Sequence, residues 1–535
     1  MFDSHSQPIT PLAFAGLGLL LLSWAFLHQL RVYYRLRHFP GPFFARFTNL
    51  QRVFWVQTAR SHEIHTQMHN RYGDFVRMGP NMISISDANL IPAVYPIRPG
   101  VPKGDFYRTL MPYSRQGSAM PLIFNTRDEA LHMKLKKPIA PIFSLSNVLT
   151  FEKYVDQILD LLFTQLDQRF AGRQTPFDLG EWLQFFAFEV MGTMTFSRQY
   201  GFLEKGCDGN GLLGAIWNYM KTAAPITQIP WFDLVWYKNP VAAALRPTTG
   251  MPILNIVRSA IEERQATLQK NPKPTSTGDD DEAANRGDFL SRFFHVQMRD
   301  PSVPPWAVTA WTFSNVIAGS DSTAVVMKTL WYNLLTHPNS MQKLSDELEL
   351  AQTQAQAQAQ AQAKTKPSRK LSRSYYYPTW TKVASLPYLD ACVNEAIRLH
   401  PPFCLPLERV VPKEGMLIGN GNHQRFLPGG TVIGMNPWVV NRHRPTFGDD
   451  ADVWRPERWL VGADRYRAME GSVLTFGAGR RVCLGKNIAL LELKKLTSAL
   501  VLNYETTILD PAQFQVENRW FFRQWDLQVT IKRRS

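Results

Sequence analysis

Cysteine is scarce in this chain, and its scarcity excludes two kinds of small cross-linked protein. Four cysteines in 535 residues are too few for a disulfide framework, and no Cys-x-x-Cys pair is present to hold structural zinc. The sequence also lacks any run of five basic residues and any repeat of about 20–50 residues. We therefore predict neither a nucleic-acid partner nor a solenoid.

Charged residues are also few. They make up 19% of the chain, whereas 45% of residues are apolar and 12% are aromatic, which predicts an ordered chain with a large core. Lys and Arg total 59 against 44 Asp and Glu, giving a formal charge of +15. Such a charge suits an anionic membrane surface or an acidic protein partner. The sparse cysteine usage further predicts folding in a reducing compartment.

The amino-terminal end contains an apolar segment of membrane-spanning length. Residues 9–27 carry no charge and would extend about 28 Å as a helix, close to the thickness of a hydrocarbon core. No basic segment precedes them, but Arg31, Arg35 and Arg37 follow, which places the amino end in the lumen and the rest in the cytosol. We predict that residues 1–40 form a single-pass membrane anchor and a proline-rich hinge. A buried core helix and a cleaved signal peptide are the alternatives.

Residues 41–535 are predicted to form one domain that is mainly α with small β-sheets. Apolar periodicity predicts helices at residues 148–170, 177–196, 250–268, 306–336 and 487–502, and strands at residues 75–78, 82–86 and 431–433. The helix at 306–336 would be about 45 Å long, enough to cross a large domain. Two segments have the composition of insertions: a polar surface loop at 271–288 and a low-complexity stretch at 351–375, whose Ala/Gln part favours helix.

A glycine-rich loop just before the last predicted helix contains the most informative cysteine. Cys483 is flanked by Gly477, Gly479 and Gly485, which permit tight turns and close approach of the backbone to a flat ligand. Free N–H groups and the positive end of the following helix favour a thiolate there, and a thiolate is a strong axial ligand for iron. Arg481 could reach an acidic edge of such a ligand.

These ten residues, 476–485, resemble the haem-binding signature FxxGxRxCxG of the cytochrome P-450 family. The resemblance covers the chain from Pro40 onward. It implies the cytochrome P-450 fold, with haem buried between a long central helix and the cysteine loop. It also implies that Cys483 is the iron ligand and that Phe476, Gly477 and Arg481 belong to the cofactor-binding loop.

Two further segments resemble family motifs in the expected order. Glu395 and Arg398 match the ExxR helix, where positions i and i+3 share a face, and the segment at 455–459 (RPERW) resembles the motif that supplies a second arginine, Arg458. The resemblance implies a Glu-Arg-Arg structural triad that supports the haem side of the core. Ordinary surface ion pairs are the alternative, and they would contribute only about 0–1 kcal/mol.

The sequence at 318–323 (AGSDST) resembles the oxygen-activation segment of the family, and it breaks the apolar pattern of the long helix. Asp321 matches the acid of that segment, whereas Ser322 stands where threonine is usual and Thr323 follows. Either hydroxyl could serve with Asp321 in proton delivery. A helix kink with locally satisfied polar groups is the alternative.

Donors for the haem propionates are expected on three segments. His132 and Lys136 stand where the family carries Trp and Arg, one helical turn apart, and they join Arg409 and Arg481. Solvated surface charge is the alternative for each. By family topology, substrate contacts are expected from residues 106–124, 313–317, 403–407 and 520–522, whose aromatic and apolar composition suits a lipophilic substrate.

The resemblance implies a haem-thiolate monooxygenase that inserts one atom of O2 into a lipophilic small molecule, in the style of fungal secondary metabolism. Because the sequence has no flavin or nicotinamide fingerprint, electrons would come from NADPH through an NADPH–cytochrome P-450 reductase, with cytochrome b5 as a second candidate donor. Arg480, Lys486, Lys494 and Lys495 beside the cysteine loop are compatible with docking to an acidic reductase face. We expect an endoplasmic reticulum membrane location with a cytosolic catalytic domain.

Two other functions would use the same cysteine. A haem-thiolate isomerase or dehydratase needs no external electrons, but such relatives commonly lose the acid–alcohol pair that Asp321 and Ser322 retain. A non-enzymatic haem sensor or carrier would need neither a proton relay nor a substrate pocket. Oxygen consumption that depends on NADPH and reductase would distinguish the monooxygenase from both.

Overall fold

The computed structural model describes residues 11–112, 119–244, 252–270, 287–363, 375–419 and 424–534. Most of these residues are helical, as predicted. The α-helices are α1 (Pro11–Arg35), α2 (Leu50–Gln57), α3 (Ser61–Tyr72), α4 (Ile91–Val94), α5 (Phe106–Thr109), α6 (Glu129–Lys136), α7 (Leu145–Leu149), α8 (Glu152–Leu166), α9 (Leu179–Phe196), α10 (Phe202–Lys205), α11 (Leu212–Ile226), α12 (Pro230–Phe232), α13 (Pro240–Ala244), α14 (Pro252–Lys270), α15 (Phe289–Arg299), α16 (Ala307–Thr336), α17 (Pro338–Ala363), α18 (Trp380–Val383), α19 (Pro387–Leu399), α20 (Pro437–Val440), α21 (Arg444–Phe447), α22 (Ala463–Gly471) and α23 (Lys486–Asn503).

Helix α16 is the predicted long helix, and it lies at the centre of the main core. It packs against α9, α14, α15, α19 and α23. Trp311 and Trp331 on this helix are fully buried. A Cβ added at Gly319 would lie 2.6 Å from Met191 Sδ on α9, so a larger residue there would have to displace the Met191 side chain.

Two predicted helices begin or break at a different place from the one predicted. The helix predicted at 177–196 starts at Leu179, since Phe177–Asp178 pairs with a strand and the Asp178 carboxylate accepts the N–H of Glu181 at 3.3 Å. The helix predicted at 148–170 is divided into α7 and α8, followed by a π turn at Asp167–Ala171. Thr150 closes the turn between α7 and α8 by donating its hydroxyl to Asn147 O at 2.7 Å.

Small sheets pack beside the helical core, as predicted. The strands are β1 (Phe75–Gly79), β2 (Met82–Ile85), β3 (Phe177–Asp178), β4 (Arg409–Val410), β5 (Met416–Ile418), β6 (Arg425–Leu427), β7 (Val432–Gly434), β8 (Tyr504–Ile508), β9 (Gln515–Asn518), β10 (Phe522–Trp525) and β11 (Gln528–Arg533). The largest sheet has the order β1-β2-β7-β4, in which β2 and β7 are parallel and the other pairs antiparallel. A second sheet has the order β3-β11-β8, and β9-β10 and β5-β6 are antiparallel pairs. Ile83, Ile85 and Ile433 of the largest sheet belong to a smaller core of their own.

Helix α3 buries three histidines on one face. His62, His65 and His69 are each less than a tenth exposed. His65 Nδ1 lies 2.9 Å from Asn436 Nδ2, and His69 Nε2 lies 2.8 Å from Ser84 Oγ. Burial lowers their pKa values to about 4, 3 and 4 in chain order, so the three imidazoles are neutral in the folded protein at pH 7.

The amino-terminal helix α1 exposes its apolar side chains. Leu20, Leu22, Trp24 and Phe26 are 69%, 71%, 68% and 67% exposed. Within the part of the chain that the structure describes, no helix meets the length and apolarity needed to cross a membrane. The predicted span begins at residue 9, outside the described residues, and the anchor stays a prediction.

The two predicted insertions are only partly described. Helix α17 continues through the Ala/Gln alternation to Ala363, in agreement with the helix preference of both residues. Residues 364–374 of the low-complexity stretch and residues 271–286 of the polar loop lie outside the described residues.

Candidate active site

Two glycines allow the tight turns of the loop before α23. Gly477 and Gly479 have φ angles of +66° and +61°. A Cβ on Gly479 would lie 2.1 Å from the carbonyl oxygen of Tyr95, so this position excludes any side chain. The N–H of Cys483 donates to Phe476 O at 2.8 Å, which closes the loop and directs the cysteine to the start of α23.

Cys483 is an exposed free cysteine, although the surrounding protein desolvates its sulfur. Burial raises its pKa above the ordinary value, whereas the N–H groups of Gly485 and Lys486 and the charges of Lys136 and Lys486 act in the opposite direction. The expectation that the loop by itself favours thiolate is therefore corrected, because desolvation is the larger effect. A metal cation at the sulfur would reverse this balance.

Polar groups near the cysteine loop fit a ligand with carboxylates at its edge. Lys136 Nζ donates to Arg480 O at 2.8 Å and so links α6 to the loop. Within the described residues, His132 Nδ1 and Arg481 Nε are buried and have no hydrogen-bond partner. Burial and the neighbouring cations lower the pKa of His132 to about 3, so this residue is a neutral donor or acceptor rather than a cation. The exposed cysteine and these unpartnered N–H or N groups are chemically compatible with a flat ligand that has an iron at its centre and carboxylates at its edge.

A cleft brings two of the predicted propionate donors together. It is lined by Tyr95, Glu129, Arg409 and Arg481, among others. Arg409 Nη1 donates to Glu408 O at 2.9 Å, and its guanidinium lies 4.8 Å from the centre of the Tyr95 ring. Arg481 Nη2 pairs with Glu129 Oε1 at 2.5 Å, a carboxylate that the sequence motifs did not single out.

The two arginines predicted to join Glu395 do so in the structure. Arg398 Nε and Nη2 donate to the two oxygens of Glu395 at 2.8 and 2.7 Å, and Arg458 Nε donates to Oε1 at 3.3 Å. Glu395 and Arg398 are 0% exposed. Arg398 Nη1 also donates to Asn441 O and Ala451 O, at 3.0 and 2.6 Å. The arrangement is a buried network rather than a set of surface pairs.

The three polar residues near the middle of α16 face different surroundings. Ser322 donates its hydroxyl to Ala318 O and remains accessible. Thr323 donates to Gly319 O at 2.8 Å and is only 3% exposed. The Asp321 carboxyl is directed to α9, and burial raises its pKa to about 6. The accessible hydroxyl is therefore that of Ser322.

Two residues beside Asp321 were missed by the sequence interpretation. Gln184 on α9 donates to Asp321 Oδ1 at 2.7 Å, and Lys328 Nζ donates to Gln184 Oε1 at 2.9 Å. Lys328 follows Asp321 by seven residues, which places both on one helix face. A lysine at that spacing within an otherwise apolar helix was the signal available in the sequence.

The four cations expected to meet a reductase are engaged within the protein. Lys495 is fully buried between Glu152 and Asp156, and Lys494 pairs with Asp390 at 2.8 Å. The remaining pairs are Lys486 with Glu470 at 3.1 Å and Arg480 with Glu129 at 3.3 Å. Lys494 and Lys495 are therefore core ion pairs, and the docking role expected of them is wrong for these two side chains.

Aromatic side chains from three of the predicted substrate segments meet. Phe403 lies 5.7 Å from Phe124, 5.4 Å from Trp520 and 5.1 Å from Phe521, measured between ring centres. Phe106 lies 6.1 Å from Trp520. Residues 113–118, inside one of these segments, are outside the described part of the chain. The rings form an apolar cluster in which Phe106, Trp520 and Phe521 are buried.

Comparison with known proteins identifies the family of this chain. The family model of cytochrome P-450 matches residues 40–524. A cytochrome P-450 monooxygenase from Aspergillus flavus is 61% identical over 519 residues, covering 97% of this chain and 96% of the relative. Monooxygenases of Sarocladium schorii and Emericella nidulans are 52% and 53% identical, covering 95% and 96% of this chain and 94% and 95% of theirs. This chain therefore belongs to the cytochrome P-450 family, and it is a monooxygenase of that family.

Proposed function

We propose that the chain holds haem through the Cys483 thiolate and hydroxylates a lipophilic small molecule of fungal secondary metabolism. The observation that carries the proposal is the accessible thiol at the start of α23, which receives N–H groups from Gly485 and Lys486. Bound haem would supply the reductive activation of O2. In the overall reaction one oxygen atom enters a C–H bond of the substrate and the other leaves as water, with two electrons from NADPH and two protons.

The residues of this chain hold the cofactor from several sides in this proposal. His132, Lys136, Arg409 and Arg481 would bind the propionates, and the Phe476 carbonyl keeps the cysteine loop closed. The free atoms His132 Nδ1 and Arg481 Nε support this assignment most directly. The Glu395 triad, at the end of α19, would keep the loop side of the core rigid, since its network contacts five backbone carbonyls through its two arginines.

Protons would be delivered by Asp321 and Ser322. Asp321 has a pKa raised to about 6, so it can both bind and release a proton near neutral pH. Ser322 has the accessible hydroxyl, whereas the Thr323 hydroxyl is buried against Gly319 O. Because the Asp321 carboxyl is directed to α9, its proton would reach the Ser322 hydroxyl oxygen through water, and Asp321 would then regain a proton from water.

The cofactor assignment is tested with Cys483→Ala and the control Cys207→Ala. Cys207 is also an exposed free cysteine. Purified Cys207→Ala should keep the reduced-CO Soret band of a thiolate-ligated haem, and Cys483→Ala should lose it. A Cys483→Ala protein that retains this band would refute the ligand assignment. A colourless wild-type protein, purified after expression with ample haem, would refute the haem proposal as a whole.

The electron donor would dock on the face formed by α6 and the cysteine loop. Lys134 and Lys137 are exposed there, together with the apolar side chains of Met133 and Val482. A reductase with an acidic face would pair with these lysines, with cytochrome b5 as a second donor. Lys134→Ala with Lys137→Ala should slow reduction at low salt, whereas Lys205→Ala on α10 should not. Equal rates for both variants would refute docking at this face.

Membrane attachment is proposed from α1 and the residues that follow it. Besides the exposed side chains of α1, Phe43, Phe44 and Phe54 are 67%, 67% and 64% exposed. Exposed apolar patches of this kind mark protein or membrane contacts. We propose an endoplasmic reticulum location with the catalytic domain in the cytosol. The full chain should stay with microsomal membranes during an alkaline carbonate wash, and release by that wash would refute the anchor.

The substrate class is proposed from the aromatic cluster around Phe403. Its rings present apolar surface from three chain segments, and none of them carries a charge. Spectral titration with a panel of fungal terpenoids, polyketides and alkaloids should identify ligands that shift the haem spin state. NADPH consumption with reductase should then yield an oxygenated product. Binding without oxygen consumption would support a sensor or carrier instead.

A further inference from the structure

A short polar network lies at the contact between α9 and α16. Gln184 Nε2 donates to Asp321 Oδ1 at 2.7 Å, and Lys328 Nζ donates to Gln184 Oε1 at 2.9 Å. Lys328 Nζ also donates to Gln524 O on β10 at 3.0 Å. The side chain of Gln524 is held in turn, because its Nε2 donates to Thr329 Oγ1 at 2.9 Å. Helix α9, helix α16 and strand β10 therefore meet in one chain of hydrogen bonds.

The order of groups in this network is determined by the chemistry of an amide. An amide side chain has a donor end and an acceptor end, a carboxylate only accepts and an ammonium only donates. Gln184 can therefore connect Asp321 and Lys328 in one orientation alone, with NH2 toward the acid and oxygen toward the amine. The amide transmits the effect of the lysine charge to a carboxyl that the lysine does not contact directly.

Burial shifts the pKa values of Asp321 and Lys328, the two ionisable ends of the network, in opposite directions. Burial raises the pKa of Asp321 to about 6, against the effects of the Lys328 charge and of its amide partner. Burial lowers the pKa of Lys328 to about 8. The other charges that act on Lys328 are Asp178 and Glu181 at the start of α9, which raise its pKa, and Arg523 on β10, which lowers it. At pH 7 the network holds a cation close to an acid that is mostly ionised, with about a tenth of it still protonated.

We propose that Gln184 and Lys328 are positioning residues that orient the Asp321 carboxyl and determine how readily it releases a proton to the Ser322 hydroxyl. The inference rests on the proposed function, in which Asp321 and Ser322 deliver protons. In each transfer the carboxyl loses a proton that reaches the hydroxyl oxygen through water, the hydroxyl passes on its own proton, and the carboxyl takes one back from water. Gln184 contacts the Asp321 carboxyl and Lys328 contacts Gln184, so both would act on the substrate only through Asp321.

The first measurement is an infrared titration of the Asp321 carboxyl in the purified full-length holoenzyme, without substrate or reductase. The C=O band that is lost in Asp321→Asn identifies this carboxyl. Lys328→Met should raise its titration midpoint by about one pH unit, a tenfold weaker acid, since a nearby cation stabilises the carboxylate. Gln184→Leu should raise the midpoint as well, and Lys328→Arg should restore it.

A matched control breaks an amide–cation hydrogen bond elsewhere. Gln165 Oε1 on α8 accepts from Arg169 Nε at 2.8 Å, so Gln165→Leu should leave the midpoint unchanged. An unchanged midpoint in folded Gln184→Leu and Lys328→Met would overturn the inference. If Lys328→Met does not fold, Gln184→Leu, which removes no charge, and Lys328→Arg decide the case.

The second measurement is the fraction of NADPH that ends as peroxide, followed against pH with reductase and a bound substrate. The pH at which peroxide release changes should move in parallel with the infrared midpoint in Gln184→Leu and Lys328→Met. If Asp321→Asn itself leaves peroxide release unchanged, the proton path of the proposed function fails. If Asp321→Asn uncouples turnover while the two positioning variants behave as wild type, only this inference fails.

Discussion

The carboxylate of Glu395 accepts hydrogen bonds from four other residues, and Glu395→Gln tests what that network contributes to stability. Its donors are Arg398 Nε and Nη2, Arg458 Nε, Trp459 Nε1 at 2.9 Å and the Arg455 N–H at 3.1 Å. A glutamine side chain has nearly the same shape, but it replaces one acceptor oxygen with an NH2 group. That group would face N–H donors, and two guanidinium charges would lose their buried counter-charge.

The expected loss of unfolding free energy in Glu395→Gln follows from the burial of the ion pairs. Removing one partner of a buried ion pair costs about 3–5 kcal/mol, because the other charge stays desolvated. A matched control is Glu349→Gln, since Glu349 pairs with Arg534 at 2.6 Å but its side chain is 52% exposed. Exposed pairs contribute about 0–1 kcal/mol. Urea unfolding of the full chain, followed by tryptophan fluorescence at pH 7, should therefore show a several-fold larger loss for Glu395→Gln.

Equal losses for the two variants would contradict this reasoning. They would mean that water or a relaxed backbone replaces the missing acceptor at Arg398 and Arg458. A larger loss of unfolding free energy for Glu349→Gln would show that burial does not determine how much the triad contributes to stability. The haem content of Glu395→Gln, measured beside its stability, shows whether the triad also keeps the cysteine loop competent to bind.

Three other predictions concern the loop, the hydroxyls and pH. Gly479→Ala should abolish haem incorporation because its Cβ would lie 2.1 Å from Tyr95 O. The Cβ of Gly477→Ala would have no contact closer than 3.5 Å, so this variant should cost only about 1 kcal/mol of backbone strain. Haem content and urea unfolding measure the two effects. Ser322→Ala should raise peroxide release and Thr323→Val should not, and the reverse would assign the relay to the buried hydroxyl. Below about pH 6.5 the histidines of the unfolded chain bind protons, whereas the three buried histidines of α3 in the folded protein do not. Their contribution to the free energy of unfolding is therefore present above pH 6.5 and falls by about 1.4 kcal/mol per histidine between pH 7.5 and 5.5. Urea unfolding at the two pH values measures this loss, and a flat pH dependence would contradict it.

The features that a single sequence could predict are those determined by neighbours in the chain. Glu395 and Arg398 share a helix face at i and i+3, so their contact follows from helical geometry alone. The glycines beside Cys483 predict a turn with positive φ before a helix, and two of them have it. The centre of α16 was marked by polar and small residues that break the apolar pattern, and Gly319 there has a packing partner on α9.

Features that depend on distant segments were not predictable in the same way. No spacing rule connects Lys495 with Glu152, or Arg481 with Glu129, because hundreds of residues separate each pair. The start of α9 was displaced because Phe177–Asp178 pairs with β11 near the end of the chain. Long-range pairing of this kind overrides local propensity, since it depends on which segments the fold brings together.

The fate of the basic residues shows why net charge is a poor guide to docking. Arg480, Lys486, Lys494 and Lys495 all have carboxylate partners in the protein, and two of them are buried. A cation neutralised inside the fold contributes little field to an approaching partner, although it still counts toward the net charge. In the proposed docking, the attraction to an acidic reductase would therefore come from exposed cations such as Lys134 and Lys137. Because exposed charges are screened by salt and buried pairs much less so, high salt should slow reduction while leaving the stability from the buried pairs nearly unchanged.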